Sequence, residues 1–444
     1  MERDIMRPLV GWKEMEGRKP LVLTGPRQVG KTWALKEFGG RHYDAVAYFN
    51  FEESPGLGEL FEATRDPRRI VRQLELVGGQ PITPGNTLIV FDEIQASASA
   101  LASLKYFREQ APEHHIAVAG SLLGVALARD ASFPVGQVTS MRMGPLTFGE
   151  FLRATDDAGL ADYLAEVDLS APVPTAFAAT LTQSLKLYFA TGGMPEPVAR
   201  WAGSRDMDAV EALLAELVGN WEADFAKHMP ARDFPKARLV WQSLPSQLGR
   251  ENAKFLYQTV KPGARAREYE EAIQWLVDAG LVLKVPRAKR PGLPLAAYDD
   301  LSAFKLFALD VGVLRRLARL APSAVTEGNR LFTEFRGALS ENYVLQSLTP
   351  ALDAAPRYWS RANPPHEVDF VVQVGNTIVP IEVKADTNLA SRSLRHYAAT
   401  DPEATPLRVR LCLAGLRLDG NTLNIPLYLA DHTTRLIGQA LNTM

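Results

Sequence analysis

The chain contains a single cysteine, Cys412, so it cannot form an internal disulfide bond. It also lacks a run of about 18 consecutive apolar residues, the length that predicts a membrane-spanning helix. The N-terminus does not show the charged and then apolar pattern of a secretory signal. We therefore expect a cytoplasmic protein that makes no contact with a membrane.

An excess of charge of one sign is missing as well. The 49 Lys and Arg residues nearly balance the 51 Asp and Glu residues, which excludes the overall basic field of many nucleic-acid-binding proteins. Any nucleic acid would have to bind a local basic patch. Hydrophobic residues make up 46% of the 444 residues, a share typical of globular proteins, and this length favours about three domains.

Short apolar runs alternate with helical stretches from Pro20 to Glu150. The runs are residues 21–25, 45–51, 87–93, 115–121 and 138–143. Nearly continuous apolar runs are typical of strands that are buried on both faces of a parallel sheet. We therefore predict an α/β domain over residues 1–155.

A glycine-rich loop follows the first of these runs. Residues 25–32 read GPRQVGKT, which matches the phosphate-binding pattern G-x-x-x-x-G-K-[ST] between a strand and a helix. The loop predicts a site for ATP, with its N–H groups facing the phosphates, Lys31 on the β- and γ-phosphates and Thr32 on Mg²⁺. The predicted nucleotide-binding residues of the loop are Gly25, Pro26, Arg27, Gln28, Val29, Gly30, Lys31 and Thr32.

Two acidic residues end the third apolar run, and a serine ends the fourth. Asp92 is predicted to complete the magnesium site, and Glu93 to orient or deprotonate the attacking water. Ser121 lies where it could contact the γ-phosphate or that water, although an ordinary hydroxyl at a strand end explains it equally well. Together with Lys31, these residues predict a P-loop ATPase.

The middle of the chain is predominantly helical. A proline-rich segment at residues 171–177 leads into helices, and a short strand with a predicted hairpin follows the helix that ends near Gly280. This order predicts a helical, winged-helix-like region over residues 175–290. Residues 326–444 show a helix, a β-hairpin and further mixed elements, which predict a second α/β domain.

Basic residues flank the third helix of the predicted winged-helix region. They could contact DNA phosphates without sequence preference, although acidic residues at the start of that helix, Glu268, Glu270 and Glu271, would repel phosphate. A solvated surface between domains explains the same pattern. The basic residues are Lys254, Lys261, Arg265, Arg267, Lys284, Arg287, Lys289 and Arg290.

The predicted hairpin at residues 367–385 places carboxylates opposite one another. A two-residue turn at Gly375 and Asn376 would set Asp369 directly across from Glu382 on the same face, close enough to share a divalent cation. Lys384 would follow on that face. Glu341 projects from the apolar face of a predicted helix, and convergence on the same cation would offset the cost of burying it.

Several short segments of the chain are informative as an ordered set: GPRQVGKT, YFNFEE, LIVFDEIQ, AGSLLG, PLTFGEFL, GGMPEPV, GALSENYV, EVDFVV and IEVKA. In this order they resemble a large prokaryotic family of AAA-type ATPases whose C-terminal half is a domain of unknown function related to restriction endonucleases. The resemblance implies an ATPase core that forms homo-oligomers. The family often has a basic residue where this chain has Gln137, so an arginine finger would come from elsewhere, with Arg129 and Arg142 as candidates.

The C-terminal residues resemble the PD-(D/E)xK nuclease site, in a nuclease-like domain over residues 326–444. The resemblance implies that Glu341, Asp369 and Glu382 bind Mg²⁺ or Mn²⁺, and that Lys384 assists the attack of water on DNA. The alternative is a relic in which Lys384 pairs with Glu367 and the domain only binds a partner. Two functions follow: an ATPase coupled to a nuclease-like domain that acts on DNA, or an ATP-switched protein-interaction module.

Overall fold

The computed structural model describes residues 1–125, 136–250, 253–327, 333–352, 354–363, 365–385 and 392–444. The described chain divides into two compact units. The N-terminal unit comprises Glu2–Gly144 with Asp278–Leu281. The C-terminal unit comprises Met1, Pro145–Val277 and Val282–Met444.

The five apolar runs of the N-terminal unit form the five strands of one sheet. The strands are β1 (Leu21–Thr24), β2 (Ala45–Asn50), β3 (Thr87–Asp92), β4 (His115–Ala119) and β5 (Thr139–Arg142). Their order is β2-β3-β4-β1-β5, and every described pair is parallel. β3 is buried along its whole length, in agreement with its continuous apolar sequence. The predicted parallel α/β architecture is confirmed.

Five described helices accompany this sheet. They are α1 (Met6–Glu14), α2 (Lys31–His42), α3 (Leu57–Ala63), α4 (Pro67–Gly78) and α5 (Ala98–Gln110). Sequence signals fix the ends of α4: the Asp66 side chain accepts a hydrogen bond from the Arg68 N–H, Pro67 opens the helix, and Gly79 ends it in the left-handed region. Aromatic and aliphatic side chains from both helices and strands, among them Phe49, Phe61 and Phe91, fill the core.

The C-terminal unit begins with a succession of helices. These are α6 (Phe148–Ala154), α7 (Ala158–Glu166), α8 (Thr175–Thr191), α9 (Pro195–Ser204), α10 (Met207–His228), α11 (Phe234–Leu248), α12 (Tyr257–Val260) and α13 (Ala266–Asp278). Thr147 and Glu150 form a reciprocal capping box at the start of α6. Across the described residues, no helix is both long and apolar enough to cross a membrane.

A sheet of eight strands follows. The strands are β6 (Val282–Ala288), β7 (Asp299–Ala308), β8 (Arg357–Arg361), β9 (His366–Val374), β10 (Thr377–Val383), β11 (Arg408–Cys412), β12 (Arg417–Asp419) and β13 (Thr422–Pro426). Their order is β12-β13-β11-β10-β9-β8-β6-β7, with both parallel and antiparallel pairs. The remaining described helices are α14 (Val311–Leu317), α15 (Pro322–Thr326), α16 (Thr333–Leu348), α17 (Arg392–Thr400) and α18 (Thr433–Thr443).

The predicted hairpin after α13 exists, but it does not stand alone as a wing. β6 pairs with β7 and also with β8, so the hairpin is one edge of the eight-stranded sheet. The reason is that β6 has a free edge, and β8, from a distant part of the chain, satisfies its hydrogen-bonding groups. Residues on both sides of the expected boundary at 290–326 therefore share one sheet.

Candidate functional site

The glycine-rich loop connects the end of β1 directly to α2. Gly25 has φ 148°, and a Cβ atom at this position would lie 2.1 Å from the main-chain oxygen of Met143. Gly30, the N-cap of α2, has φ 92°, which lies in the left-handed region. Both positions therefore require glycine. The loop leads into the N-terminus of a 12-residue helix, where free N–H groups favour an anion.

Lys31 lies under this loop with only 7% of its surface exposed. Its Nζ donates hydrogen bonds to the carbonyl oxygens of Gly25 (2.8 Å) and Pro26 (2.7 Å). Burial lowers the pKa of Lys31 to about 8, although the charges of Glu93 and Asp92 oppose that shift. A phosphate in the loop would offer this ammonium stronger, charge-assisted hydrogen bonds than two neutral carbonyls do.

Asp92 lies at the carboxyl end of β3 and receives two hydroxyl groups. The Thr32 Oγ1 donates to Asp92 Oδ2 over 2.7 Å, and the Tyr48 hydroxyl donates to the same oxygen over 2.9 Å. The predicted pair of Thr32 and Asp92 is therefore assembled. Oxygen ligands of this kind, on neighbouring side chains, fit Mg²⁺.

Tyr48 was not predicted as a site residue. Lys36 Nζ lies 3.5 Å from the centre of its ring. Burial, followed by the hydrogen bond to Asp92, raises the pKa of the Tyr48 hydroxyl. The strand register explains this position, because Asn50 pairs with Asp92 and Tyr48 lies two residues before Asn50, on the same face of β2.

Glu93 directly follows β3 in a left-handed conformation, with φ 50°. Its Oε2 accepts hydrogen bonds from the Ser121 N–H (2.9 Å) and the Ser121 Oγ (3.0 Å). Gln95 Nε2 donates to the same oxygen. Ser121 is thus joined to Glu93, and Gln95 is a further residue of the site that carried no recognisable spacing signal.

Of the two arginine-finger candidates, Arg142 lies in the described part of the chain and Arg129 does not. Arg142 ends β5, and burial lowers the pKa of its guanidinium.

The C-terminal hairpin has the predicted register. Val374 faces Thr377, and the described pairs continue to Phe370 opposite Ile381. Beyond them, Asp369 Oδ2 accepts a hydrogen bond from the Val383 N–H over 2.7 Å. The side chain of Asp369 is therefore tied to the end of β10.

A buried lysine that the sequence analysis missed contacts this region. Lys305, on β7, is fully buried. Its Nζ lies 2.5 Å from Glu367 Oε1 and 3.5 Å from Glu341 Oε2. Lys384 Nζ lies 3.1 Å from Glu382 Oε1. The cation that is seen next to Glu367 is Lys305, which reaches it from β7.

Charges within this carboxylate cluster, defined as Glu341, Glu367, Asp369 and Glu382, influence one another. Burial and the neighbouring Glu341 charge raise the pKa of Asp369 well above its usual range. Burial raises the pKa of Glu341, against the effect of Lys305. Burial lowers the pKa of Lys305, but the surrounding carboxylates overcome this and raise it. The Lys305 ammonium therefore supplies positive charge next to Glu341 and Glu367.

In the part of the chain that the structure describes, no group of three or more His, Cys, Asp or Glu residues is arranged to hold a metal ion. Two carboxylates of the cluster, Glu341 and Glu367, lie within ion-pair distance of the buried Lys305 ammonium. A lysine thus compensates part of the negative charge of the cluster.

Several residues of the predicted basic patch are engaged within the chain. Arg287 forms an ion pair with Asp300. Lys284 lies 4.6 Å from the ring centre of Phe304, and Arg290 lies 4.4 Å from that of Tyr298. These residues lie on or directly after β6, so this part of the patch leaves charged groups at the surface of the β6–β7 hairpin.

Comparison with protein families divides the chain into three matches. Residues 17–152 match a family described as an AAA domain. Residues 182–324 match a domain of unknown function (DUF8612), and residues 336–429 match another domain of unknown function (DUF4143). No curated protein matches the chain.

Solved structures give distant similarities. A Walker-type ATPase of Pyrococcus abyssi is 14% identical with a TM-score of 0.45, over 71% of this chain and 95% of the other. The ORC1 protein of Aeropyrum pernix, in complex with DNA, is 16% identical with a TM-score of 0.27, over 71% of this chain and 90% of the other. The RuvB Holliday junction branch migration motor of Thermotoga maritima is 13% identical with a TM-score of 0.31, over 64% of this chain and 90% of the other.

The family match at residues 17–152 spans both the glycine-rich loop and the acidic pair. Residues 17–152 are therefore an AAA-type ATPase domain. Neither domain of unknown function identifies an activity.

Proposed function

We propose that this AAA-type domain hydrolyses ATP in a magnesium-dependent reaction. The observation that carries the proposal is the continuous set of contacts from the loop to the acidic pair. Lys31 and Thr32 begin α2, Thr32 is bonded to Asp92, and the next residue, Glu93, is bonded to Ser121. Parallel strands bring these groups together because their carboxyl ends lie at one edge of the sheet.

Each side chain has a distinct role in this proposal. The loop N–H groups and Lys31 hold the phosphates, while Thr32 and Asp92 hold Mg²⁺. Mg²⁺, when bound, supplies positive charge next to the β- and γ-phosphates. Glu93 orients the attacking water and accepts its proton, and Ser121 fixes the carboxylate that does so.

Two substitutions separate binding from turnover. Lys31→Ala removes the ammonium, so we expect ATP affinity to fall at least about tenfold, as for the loss of a charge-assisted hydrogen bond. Glu93→Gln keeps the shape of the side chain but removes the base, so we expect unchanged ATP binding with turnover reduced about 100-fold. Equal turnover by Glu93→Gln and the parent protein would refute the role of Glu93.

The carboxylate cluster supports a second proposal, about the C-terminal unit. The resemblance implies a Mg²⁺ or Mn²⁺ site made by Glu341, Asp369 and Glu382, with Lys384 as a catalytic partner in DNA cleavage. The ammonium of Lys305 favours the other alternative, in which the cluster is closed by ion pairs and the unit binds a partner without cutting it. An ATP-switched binding module then follows, with DNA or a protein as the partner.

Calorimetry with Mn²⁺ distinguishes the two proposals. We expect no binding that differs between the parent and Asp369→Ala proteins, and no cleavage of linear, supercoiled or branched DNA in either Mg²⁺ or Mn²⁺. Binding or cleavage that is present in the parent protein and lost in Asp369→Ala would establish the nuclease site instead. Lys31→Ala, tested alongside, would show whether any cleavage requires ATP.

A further inference from the structure

Gln95 forms an unusual contact with the proposed catalytic glutamate. It belongs to the short 3₁₀ turn Ile94–Ala96, which immediately follows Glu93. This turn folds the side chain of Gln95 back, so that its Nε2 donates to Glu93 Oε2. Three hydrogen bonds to the Glu93 carboxylate thus end on the same oxygen, Oε2, two from Ser121 and one from Gln95.

The other end of the Gln95 amide is buried without a hydrogen bond. Among the described residues, none donates to Gln95 Oε1. This oxygen lies against Gly120, where a Cβ atom would come within 1.9 Å of it. A buried carbonyl without a partner is unfavourable, and an apolar side chain of the same size would avoid that cost.

The two ends of the Gln95 amide thus differ, since Nε2 is hydrogen-bonded and Oε1 is not. This difference distinguishes a role in packing from a role in orienting Glu93. If Gln95 only filled space, leucine would serve better than glutamine. The amide does offer one thing that leucine lacks, an N–H group directed at Glu93. Donors on a single carboxylate oxygen fix the rotation of that group and leave its other oxygen as the one to meet a water.

We propose that Gln95 is a positioning residue that, with Ser121, holds the Glu93 carboxylate in the orientation needed to act on the attacking water. Gly120 is part of the same arrangement, because only glycine leaves room for the amide at this position. The inference rests on the proposed ATPase activity.

Three substitutions test the proposal in the full-length protein. Gln95→Leu removes the donor, and we expect kcat to fall about tenfold while the affinity for ATP changes less than about twofold. Gln95→Glu retains the shape but places a second carboxylate against Glu93, so its kcat should be lower still. Gly120→Ala pushes the amide away from Glu93, and its kcat should fall as in Gln95→Leu.

Thermal unfolding without nucleotide supplies a measurement that does not depend on activity. We expect Gln95→Leu to unfold at the same temperature as the parent protein or higher, because the substitution removes an unpaired buried carbonyl. Gln80→Leu is the matched control: Gln80 Nε2 donates to the Val46 carbonyl over 2.9 Å in the same unit, so its loss should lower the unfolding temperature and leave kcat unchanged.

The outcomes separate the two proposals. An active parent protein, an inactive Glu93→Gln and a fully active Gln95→Leu would refute the inference about Gln95 alone. Near-parental kcat in Gln95→Glu, or a loss of stability in Gln95→Leu that parallels its loss of activity, would also refute it in favour of packing. If the parent protein does not hydrolyse ATP above the Glu93→Gln background, the proposed function itself fails.

Discussion

Tyr48 makes a testable contribution to the proposed magnesium site. Its hydroxyl and that of Thr32 both donate to Asp92 Oδ2, so the tyrosine helps to fix the orientation of this carboxylate. Groups that orient metal ligands in this way typically contribute about 10- to 100-fold to metal affinity. Replacing Tyr48 by phenylalanine removes only the hydroxyl group that makes this hydrogen bond.

We expect Tyr48→Phe to raise the Mg²⁺ concentration that half-saturates ATP turnover by about tenfold, with little effect on the maximal rate at saturating Mg²⁺. A magnesium titration of ATPase activity measures both. Tyr106→Phe, on α5 and next to Arg65, is the control and should titrate as the parent protein does. Identical magnesium dependence of Tyr48→Phe and the parent protein would contradict this role.

Lys31 connects the nucleotide site to the stability of the protein. Burial lowers the pKa of Lys31 from 10.5 to about 8, so the unfolded chain binds its proton more tightly than the folded chain does. The charged side chain therefore destabilises the protein below pH 8. This cost disappears as the pH rises from about 8 to 10.5, because the folded protein then releases the proton first.

Replacement of Lys31 by methionine should consequently stabilise the nucleotide-free protein at pH 7, by on the order of 2 kcal/mol. The gain should shrink progressively above pH 8. Urea unfolding across this pH range measures the difference in the free energy of unfolding. A gain that is constant from pH 7 to pH 10 would show that burial of the charge is not its cause.

At the scale of elements, the sequence predicted what depends on short stretches of chain. The apolar runs gave the strands of the N-terminal sheet, and the turn at Gly375 and Asn376 gave the register of the β9–β10 hairpin. Long-range pairing was not predictable in the same way. β6 pairs with β8 some 70 residues away, and this pairing brings Lys305 on the adjoining β7 to Glu341 and Glu367.

Gln95 and Tyr48 were missed for a related reason. The loop motif and the acidic pair were recognisable because phosphate and magnesium require fixed residue types at fixed spacing. A residue that orients one of these groups needs only to reach it, and many side chains can do so from many positions. Gln95 reaches Glu93 because of a 3₁₀ turn, whose geometry was not evident from the residues alone.

Lys305, on β7, should stabilise the carboxylate cluster. Lys305→Met would leave Glu341, Glu367 and Asp369 without their buried cation. Removal of one partner from a buried ion pair typically costs 3 to 5 kcal/mol, so we expect the free energy of unfolding to fall by about 3 kcal/mol at pH 7. Urea unfolding of the parent and variant proteins measures this change.

The matched control is Lys284→Met on the neighbouring strand β6. Its exposed ammonium lies over the Phe304 ring, so this substitution should cost less than about 1 kcal/mol. Mn²⁺ added to Lys305→Met provides a second measurement. Binding of Mn²⁺ by this variant, but not by the parent protein, would mean that the lysine occupies a place where the carboxylates can otherwise hold a metal.

At the scale of the whole molecule, the distribution of charge limits which partners the chain can bind. The total charge of the chain is close to neutral, so an anionic partner such as DNA has only local basic surfaces to contact. The surface around the β6–β7 hairpin is one of these. Arg290 is exposed, donates to the Tyr298 hydroxyl over 3.2 Å and lies against the ring of the same tyrosine.

We expect DNA binding through this surface to weaken as salt increases, because phosphate contacts release counterions. Reversal of charge in the double variant Lys289→Glu and Arg290→Glu should lower DNA affinity at least about tenfold and reduce the salt dependence, while ATP turnover without DNA stays unchanged. Lys105→Glu, a half-exposed lysine on α5, is the control and should bind DNA as the parent protein does. Fluorescence anisotropy across a range of salt concentrations measures the affinities, and ATP turnover with and without DNA shows whether DNA binding changes the ATPase activity.

DNA affinity that survives the double charge reversal would exclude this surface as the DNA-binding site. Absence of DNA binding by the parent protein, at low salt and with ATP present, would instead favour a protein as the partner of the C-terminal unit.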